Sequence, residues 1–336
     1  MPTISIEESN KRFYSSKVSI KLPFITEAME EPYRRAAANL ILDRYGDLLL
    51  SGSSLNILEA GCNTGYFMKG LYNSIVQADG GKYSYAVNHI TYTGVDISRY
   101  ALIEAGKIAE SAEGNFFKTK LIRKDLSKDG VPGSYDIVIA NELLDDIGSL
   151  IYTNSNGAIY ELRPLEKISN GFFTITPQRF SVNYGESKRR FEALDGWEKD
   201  EVRSLADGEV TVVSPNSIRL VENLMSAMRK GGTMLLHDYG WVGSKRAARF
   251  GMVVRAYGTN CPPGESTELE ELAGKFQITA DVNFNEIARI LRKHGNTRVM
   301  EHQEFLEEYR GKRGPRLRVD FDNYGFFDVI FTKQTE

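Results

Sequence analysis

Asn56-Ile57-Leu58-Glu59-Ala60-Gly61-Cys62-Asn63-Thr64-Gly65-Tyr66-Phe67 is the stretch on which the fold turns. An apolar run that ends in an acid and a glycine turn reads as a buried strand, and the residues after Gly65 open an amphipathic helix at once. That unit begins a doubly wound parallel sheet, in which ligands bind beyond the carboxyl ends of the strands. Spacing then narrows the ligand. A dinucleotide site would carry G-x-G-x-x-G, because backbone must close on a pyrophosphate. Here the order is Glu59-x-Gly61-x-x-x-Gly65, the pattern with which a Rossmann-like sheet binds S-adenosylmethionine. That cofactor has no phosphate, and its amino acid end needs backbone amides and a carbonyl. Glycine lets the chain approach it closely. A plain strand-to-helix turn, with glycines for packing, is the competing reading.

The next strand-end strengthens the first. Ile90-Thr91-Tyr92-Thr93-Gly94-Val95-Asp96-Ile97-Ser98 is β-branched and aromatic before it turns into a helix at Ser98. Asp96 at its tip is placed to accept both ribose hydroxyls, with Ile97 beside it. The interval exceeds the roughly 20 residues of a compact unit, and the polar segment Asp79-Gly80-Gly81-Lys82-Tyr83-Ser84 reads as an inserted loop. Leu121-Ile122-Arg123-Lys124-Asp125-Leu126 offers Asp125 and Leu126 at the adenine end. A fourth strand, Tyr135-Asp136-Ile137-Val138-Ile139-Ala140, runs into Asn141-Glu142-Leu143-Leu144-Asp145-Asp146. An amide and three carboxylates at the end of a central strand lie over the ligand crevice.

Composition bounds the rest. The chain has 336 residues, 41% of them hydrophobic, which suffices for a sizeable core. Lys+Arg 42 against Asp+Glu 45 gives a net charge of -3, which provides no electrostatic case for nucleic-acid binding. Two cysteines, Cys62 and Cys261, exclude a disulfide framework or a structural zinc site, and no metal site is expected. No apolar run approaches a membrane span, and Glu7 and Glu8 stand where a leader would need apolar residues. A cytoplasmic enzyme is the expectation. Homo-oligomerisation stays open.

Residues 1–50 read as an N-terminal helical segment, with Met29, Tyr33, Ala36, Ala37, Leu40, Ile41 and Leu48 on its apolar face. Residues 51–148 and 208–336 read as one Rossmann-like domain. Residues 149–207 interrupt it as an α+β insertion: a hairpin turning at Asn156-Gly157, a strand at Gly171–Pro177, and a charged helical stretch from Glu186 to Leu205. It is read as a cap facing the substrate or a partner. The core then resumes. Ser214-Pro215 starts a helix with a capping hydroxyl and a first-turn proline, whose buried face is Ile218, Val221, Leu224, Met225 and Met228 and whose stop is Gly231-Gly232. Thr233–Gly240 is a fifth strand. Asn283 caps a helix that Gly295 ends, and Phe326–Phe331 forms a late strand, antiparallel to its neighbours.

Four of these stretches, Glu59–Gly65, Asn141–Asp145, Val213-Ser214-Pro215 and His237-Asp238-Tyr239-Gly240, together resemble the MidA-like methyltransferases. That family includes the mitochondrial complex I assembly methyltransferase. Thr279-Ala280-Asp281-Val282-Asn283-Phe284 is similar to its Thr-Ala-His-Val-Asp-Phe. The likeness runs from about residue 55 to 300. The family's glycine-rich N-terminal substrate segment is not recognisable in residues 1–50, and Ala-Asp-Val-Asn replaces Ala-His-Val-Asp at 280–283. The resemblance implies S-adenosylmethionine as cofactor and a protein arginine as acceptor.

The residues themselves reach less far. Glu59, Gly61, Cys62, Asn63, Gly65, Asp96, Ile97, Asp125, Leu126 and Asn141 are the expected cofactor contacts. Glu142 and Asp145 would clamp a guanidinium bidentately, and Asp238 would orient the acceptor. An arginine cannot be prepared by deprotonation, so geometry and charge localisation must do the work. His237 reads as a satisfied core histidine more readily than as a base, and Cys62 has no base to make it a nucleophile. The basic runs Lys245–Arg249 and Lys312–Arg318 read as solvated surface. A small-molecule methyltransferase, or a cofactor-binding assembly factor without catalysis, are the alternatives.

Overall fold

The structure, a computed structural model, describes residues 6–14, 30–111, 116–169, 172–243, 254–258, 276–310 and 324–335. The basic stretches 245–249 and 312–318, together with Met29 and Cys261, lie outside the described residues. In chain order come α1 (Ile6–Tyr14), α2 (Glu31–Leu50), β1 (Leu55–Ala60), α3 (Tyr66–Gln77), β2 (Ile90–Asp96), α4 (Arg99–Glu110), β3 (Lys118–Arg123) and β4 (Tyr135–Asn141). Then follow β5 (Leu150–Ser155), β6 (Ala158–Ser169), β7 (Phe172–Ser181), α5 (Gly185–Ala193), α6 (Gly196–Arg203) and β8 (Val210–Val213). The remainder is α7 (Pro215–Ser226), β9 (Met228–Trp241), β10 (Val254–Gly258), β11 (Phe276–Ala280), β12 (Val282–Asn283), α8 (Phe284–Leu291), β13 (Gly295–Glu301), α9 (His302–Arg310) and β14 (Tyr324–Lys333).

The main sheet has the order β13-β14-β9-β4-β1-β2-β3, with β12 on the end of β9. β1 is parallel to β2 and β4, β2 to β3, and β4 to β9. β14 enters antiparallel between β9 and β13, so the doubly wound sheet with a reversed last strand is what forms. Side-chain alternation sorts the sheet onto two faces. Ile57, Tyr92, Ile137, Ile139, Leu235 and Ile330 pack under α2, α3 and α9. Leu58, Ala60, Val138, Met234, Leu236 and Val329 pack on α7 and α8. By the same alternation Glu59, Asn141, His237 and Asp328 belong to the α2 face, at the ligand end.

Local choices explain the elements. Pro32 sits in the first turn of α2, where its missing N–H costs nothing. Tyr33, Ala37, Ile41, Tyr45 and Leu49 then follow at four-residue spacing along the buried side. Leu48, expected there, is 42% exposed, and Leu49 takes its place at 1%. Ser98 caps α4 by accepting from the Ala101 amide. Pro215 opens α7 as expected, but the Ser214 hydroxyl makes no cap bond and meets Ser149 Oγ at 2.7 Å instead.

Helix ends depart further from expectation. α7 stops at Ser226, because Met228 already pairs with Tyr135 in β9. Gly231, at φ +75°, lies within that strand, whose register against β4 shifts between Tyr135 and Ile137. A positive-φ glycine at a register shift is bulge chemistry, not a helix stop. Asn283 does cap α8, accepting from the Asn285 amide at 3.2 Å, yet α8 ends at Leu291 and Gly295 begins the unanticipated β13.

A second sheet, β7-β6-β5-β8, is antiparallel throughout. Its first hairpin turns at Asn156 (φ +54°) and Gly157 (φ +77°), the two positive φ values that a tight two-residue turn demands. β8 was not anticipated, and its pairing carries this sheet on to Val213. The charged stretch 186–205 divides into α5 and α6, because Asp195 and Glu198 form a capping box at the second helix. Among the described residues no helix is long and apolar enough to cross a membrane.

Candidate functional site

The first turn is built around left-handed backbone: Gly61 at φ +71°, Asn63 at +44° and Gly65 at +80°. A Cβ on Gly61 would lie 3.0 Å from Leu143 Cδ1, and one on Gly65 would lie 3.1 Å from the Ala105 Cα. Both positions therefore require glycine for conformation and for space. The Gly61 and Cys62 amides donate to the Val95 carbonyl at 2.8 and 3.1 Å. They tie the turn to β2 and are not the ligand-facing amides that the sequence suggested. Cys62 is buried, burial pushes its thiol well above the ordinary range, and its sulfur fills the space beside Gly94.

Asp96 joins the two strand-ends. Its Oδ2 accepts from the Asn63 amide at 2.9 Å and its Oδ1 from the Ser98 amide at 2.7 Å. Burial raises its pKa, and those amides pull it back down. Each oxygen keeps a further lone pair for a ribose hydroxyl. Ile97 contributes a carbonyl that accepts from Arg123 Nε at 3.1 Å. Glu59 is 2% exposed and accepts from the Tyr92 hydroxyl at 2.8 Å. Burial pushes its carboxyl up to about 8 against that hydrogen bond.

At the ends of β4 and β9 the polar residues crowd together. Glu142 lies at φ +46°, a strained conformation for a side-chain-bearing residue, and its amide donates to the His237 carbonyl at 2.7 Å. Asp238 is 1% exposed. Its Oδ2 accepts from the amides of Leu143, Leu144 and Asp145, and its Oδ1 from that of Tyr239 at 2.7 Å. Its carboxylate thus holds backbone, rather than standing open to orient an acceptor as the sequence suggested. Burial nevertheless raises it to about 7. Asp145 is raised well above the usual range by burial and by Asp238, Asp146, Glu142 and Asp281. Its Oδ1 is buried without a partner among the described residues.

α1, within the segment read as helical, makes two sets of contacts that the sequence does not announce. Lys11 Nζ pairs with Asp125 at 2.9 Å, and Asp125 also accepts from Ser127 Oγ at 2.5 Å. Leu126 is buried, and its carbonyl accepts from Asn223 Nδ2 at 3.3 Å. Asn10 Nδ2 donates to the Asp146 carbonyl at 2.9 Å, and Tyr14 and Gln277 donate to the Asp146 carboxylate. Burial raises Asp146 to about 7, with the Tyr14 and Gln277 hydrogen bonds opposing. α1 therefore spans the crevice from the β3 end to the loop after β4.

Beneath α2 runs a polar layer that no motif announced. Tyr33 donates to Asn141 Oδ1 at 2.6 Å, and Asn141 Nδ2 is buried without a partner among the described residues. The Tyr33 ring lies 4.3 Å from the His237 ring. Asp328 bridges the Nδ1 atoms of His237 and His302 at 3.0 and 2.9 Å. Burial would raise Asp328, but His237 and both hydrogen bonds bring it below the usual carboxylate range. Those separations are hydrogen bonds, so the trio is read as structural. Only the even spacing of Asn141, His237 and Asp328 against their apolar strand neighbours hinted that they share a face.

Residues 38–302 match the family described as "Putative S-adenosyl-L-methionine-dependent methyltransferase". The chain belongs to this family. Two solved structures from Burkholderia thailandensis share the fold of this methyltransferase. One is the native form of an uncharacterized protein, 15% identical, with a TM-score of 0.64. The other is a relative bound to S-adenosyl-homocysteine, also 15% identical, with a TM-score of 0.63. Each alignment covers 99% of this chain and 88% of the other. No curated protein matches the chain at a significant level. The residues of the methyltransferase fit the cofactor: Asp96 closes β2 with lone pairs to spare, and a buried N–H donor on Asn141 lacks an acceptor among the described residues.

Proposed function

We propose that this methyltransferase transfers the methyl group to a protein side chain, with an arginine guanidinium as acceptor. The observation that carries the reading is the crowd of acids around Asp145: Asp238, Asp146, Glu142 and Asp281 each raise its pKa, and its Oδ1 is unpartnered among the described residues. Like charges so close are unfavourable alone and are relieved by a cation that donates hydrogen bonds. A guanidinium is such a cation, with five donors and no acceptor. The MidA-like resemblance points the same way.

The first turn, Glu59, Asp96, Asp125 and Leu126 would hold the cofactor, whose chemistry when bound is to offer an electrophilic methyl group and leave as the neutral thioether. The chain's own task is alignment. Glu142 and Asp145 would grip two edges of the guanidinium, drawing its positive charge toward them and leaving the remaining nitrogen richer in electrons. Asp238 holds the turn that presents them, and α1 helps to keep water out of the crevice. The 149–207 block is read as the cap against which the acceptor protein docks.

The test is transfer of radiolabelled methyl to a mixture of arginine-containing peptides, followed by hydrolysis and amino-acid analysis. Label in methylarginine, lost in Glu142→Gln while cofactor binding persists, supports the reading. Label on another residue type, or on small molecules alone, overturns it.

A further inference from the structure

Two groups in the polar layer under α2 have no ligand atom assigned to them so far: the Tyr33 hydroxyl and the Asn141 side-chain amide. Tyr33 is 0% exposed, and its hydroxyl reaches Asn141 Oδ1 at 2.6 Å. A buried phenol must donate its proton, and Oδ1 is the acceptor it has. The amide is therefore turned one way, its oxygen engaged and its NH2 presented as a donor. That NH2 is buried and unpartnered among the described residues.

Tyr33 is itself held firmly. Its ring lies 4.3 Å from His237, 5.6 Å from His302, 5.8 Å from Phe305 and 5.9 Å from Phe67. Asp328 fixes both histidines. Rings caged on this scale do not swing to suit a ligand, so the amide direction is set before anything binds.

A buried donor without an acceptor is unfavourable, and its persistence at the end of a central strand points to a ligand atom that accepts. The cationic acceptor argued above offers donors only, and on that reading it cannot receive Asn141. The ribose and adenine have addresses at Asp96 and Asp125, on the far side of β1. What remains is the anionic end of the cofactor. We infer that Asn141 Nδ2 donates to the carboxylate of the cofactor's amino acid moiety, and that Tyr33 is the positioning residue that turns it to do so.

The experiment compares S-adenosylmethionine with its decarboxylated analogue, which keeps the sulfonium, ribose, adenine and amine. Each is titrated calorimetrically into the full-length protein, with no methyl acceptor present, as wild type, Tyr33→Phe and Asn141→Leu. The outcome therefore does not depend on what the acceptor is. Weakening of S-adenosylmethionine by about tenfold in both variants, with the analogue changed less than about twofold, is the expected result; one hydrogen bond to a charged group carries that much. Equal weakening of both ligands would reduce Tyr33 and Asn141 to packing and overturn the inference. So would unchanged affinity for both. Should Tyr33→Phe fail to fold, the Asn141→Leu comparison decides the subsite alone.

Discussion

Oδ2 of Asp238 accepts from the amides of Leu143, Leu144 and Asp145 at 3.0, 2.7 and 3.3 Å, and these bonds hold Glu142 in its left-handed conformation at φ +46°. Successive N–H groups converge on one oxygen only where the chain curls into a nest, and a nest needs a left-handed residue at its edge. Asp238 is thus the scaffold and Glu142 the residue it displays. Asp238→Asn places an NH2 against amides that also donate. It should destabilise the protein by about 2–4 kcal/mol and, by releasing the turn that presents Glu142, cost most of the methyl transfer at equal cofactor occupancy. Chemical denaturation and single-turnover transfer check both. Activity in Asp238→Asn near that of wild type would remove the scaffold argument.

Glu142 is expected to trade stability for function. Glycine at this position relieves the left-handed strain, so Glu142→Gly should gain up to about 1 kcal/mol in unfolding free energy while methyl transfer is lost. Glu142→Gln keeps the strain and removes only the charge. A glycine variant less stable than wild type would show that the side chain contributes more to packing than its backbone costs.

Glu59 makes the protein lose stability as pH rises through neutrality. Its carboxyl stands near 8 when folded and at its ordinary value when unfolded. The folded state therefore keeps a proton that the unfolded state has released. The resulting stabilisation is complete below the unfolded pKa and is lost as pH rises through the folded one. Between about pH 5 and 8 stability should fall by up to roughly 1.4 kcal/mol per pH unit. Glu59→Gln should flatten that slope, and denaturation midpoints at three pH values are enough to see it. Parallel curves for the two proteins would contradict the assignment.

Asp96→Ala removes two things at once: the carboxylate proposed to receive the ribose and the tether on Asn63, whose own φ is +44°. Cofactor affinity should drop by about two orders of magnitude, the sum of two charge-assisted hydrogen bonds. Calorimetry with S-adenosylhomocysteine measures it without turnover. A loss below fivefold would move the ribose elsewhere.

Much of the sheet was legible because buried parallel strands write long apolar runs that stop at polar residues: Glu59, Asp96 and Asn141 mark real strand-ends, whereas β9 runs on past Asp238 to Trp241. Boundaries failed where tertiary pairing overrode local signals. Gly231-Gly232 looks like a helix stop, yet Met228 is drawn into β9 by Tyr135. At the site, the charge of Asp238 is plain in the sequence, but its task depends on three amides nearly a hundred residues away. Tyr33 looked like any apolar-face aromatic, because nothing in α2 reveals that its hydroxyl meets Asn141. Lys11, Asn10 and Tyr14 sit in a short polar segment whose partners lie just beyond β3 and just beyond β4, at separations that no local pattern records.

The contact of Ser149 Oγ with Ser214 Oγ at 2.7 Å marks where the chain leaves the large sheet and where it comes back. A segment whose two ends nearly touch enters and leaves its host through one gate. Beyond the gate it is seated on the end of β9, where Ile151, Leu162, Val210 and Val212 share a buried cluster with Trp241, and Arg289 of α8 pairs with Asp195; its outer strands and helices can lengthen or shrink while that seam is kept. On the proposed reading, in which this block faces the acceptor, selectivity is carried by a part that is spliced into the chain at a single point, apart from the strands that would hold the cofactor.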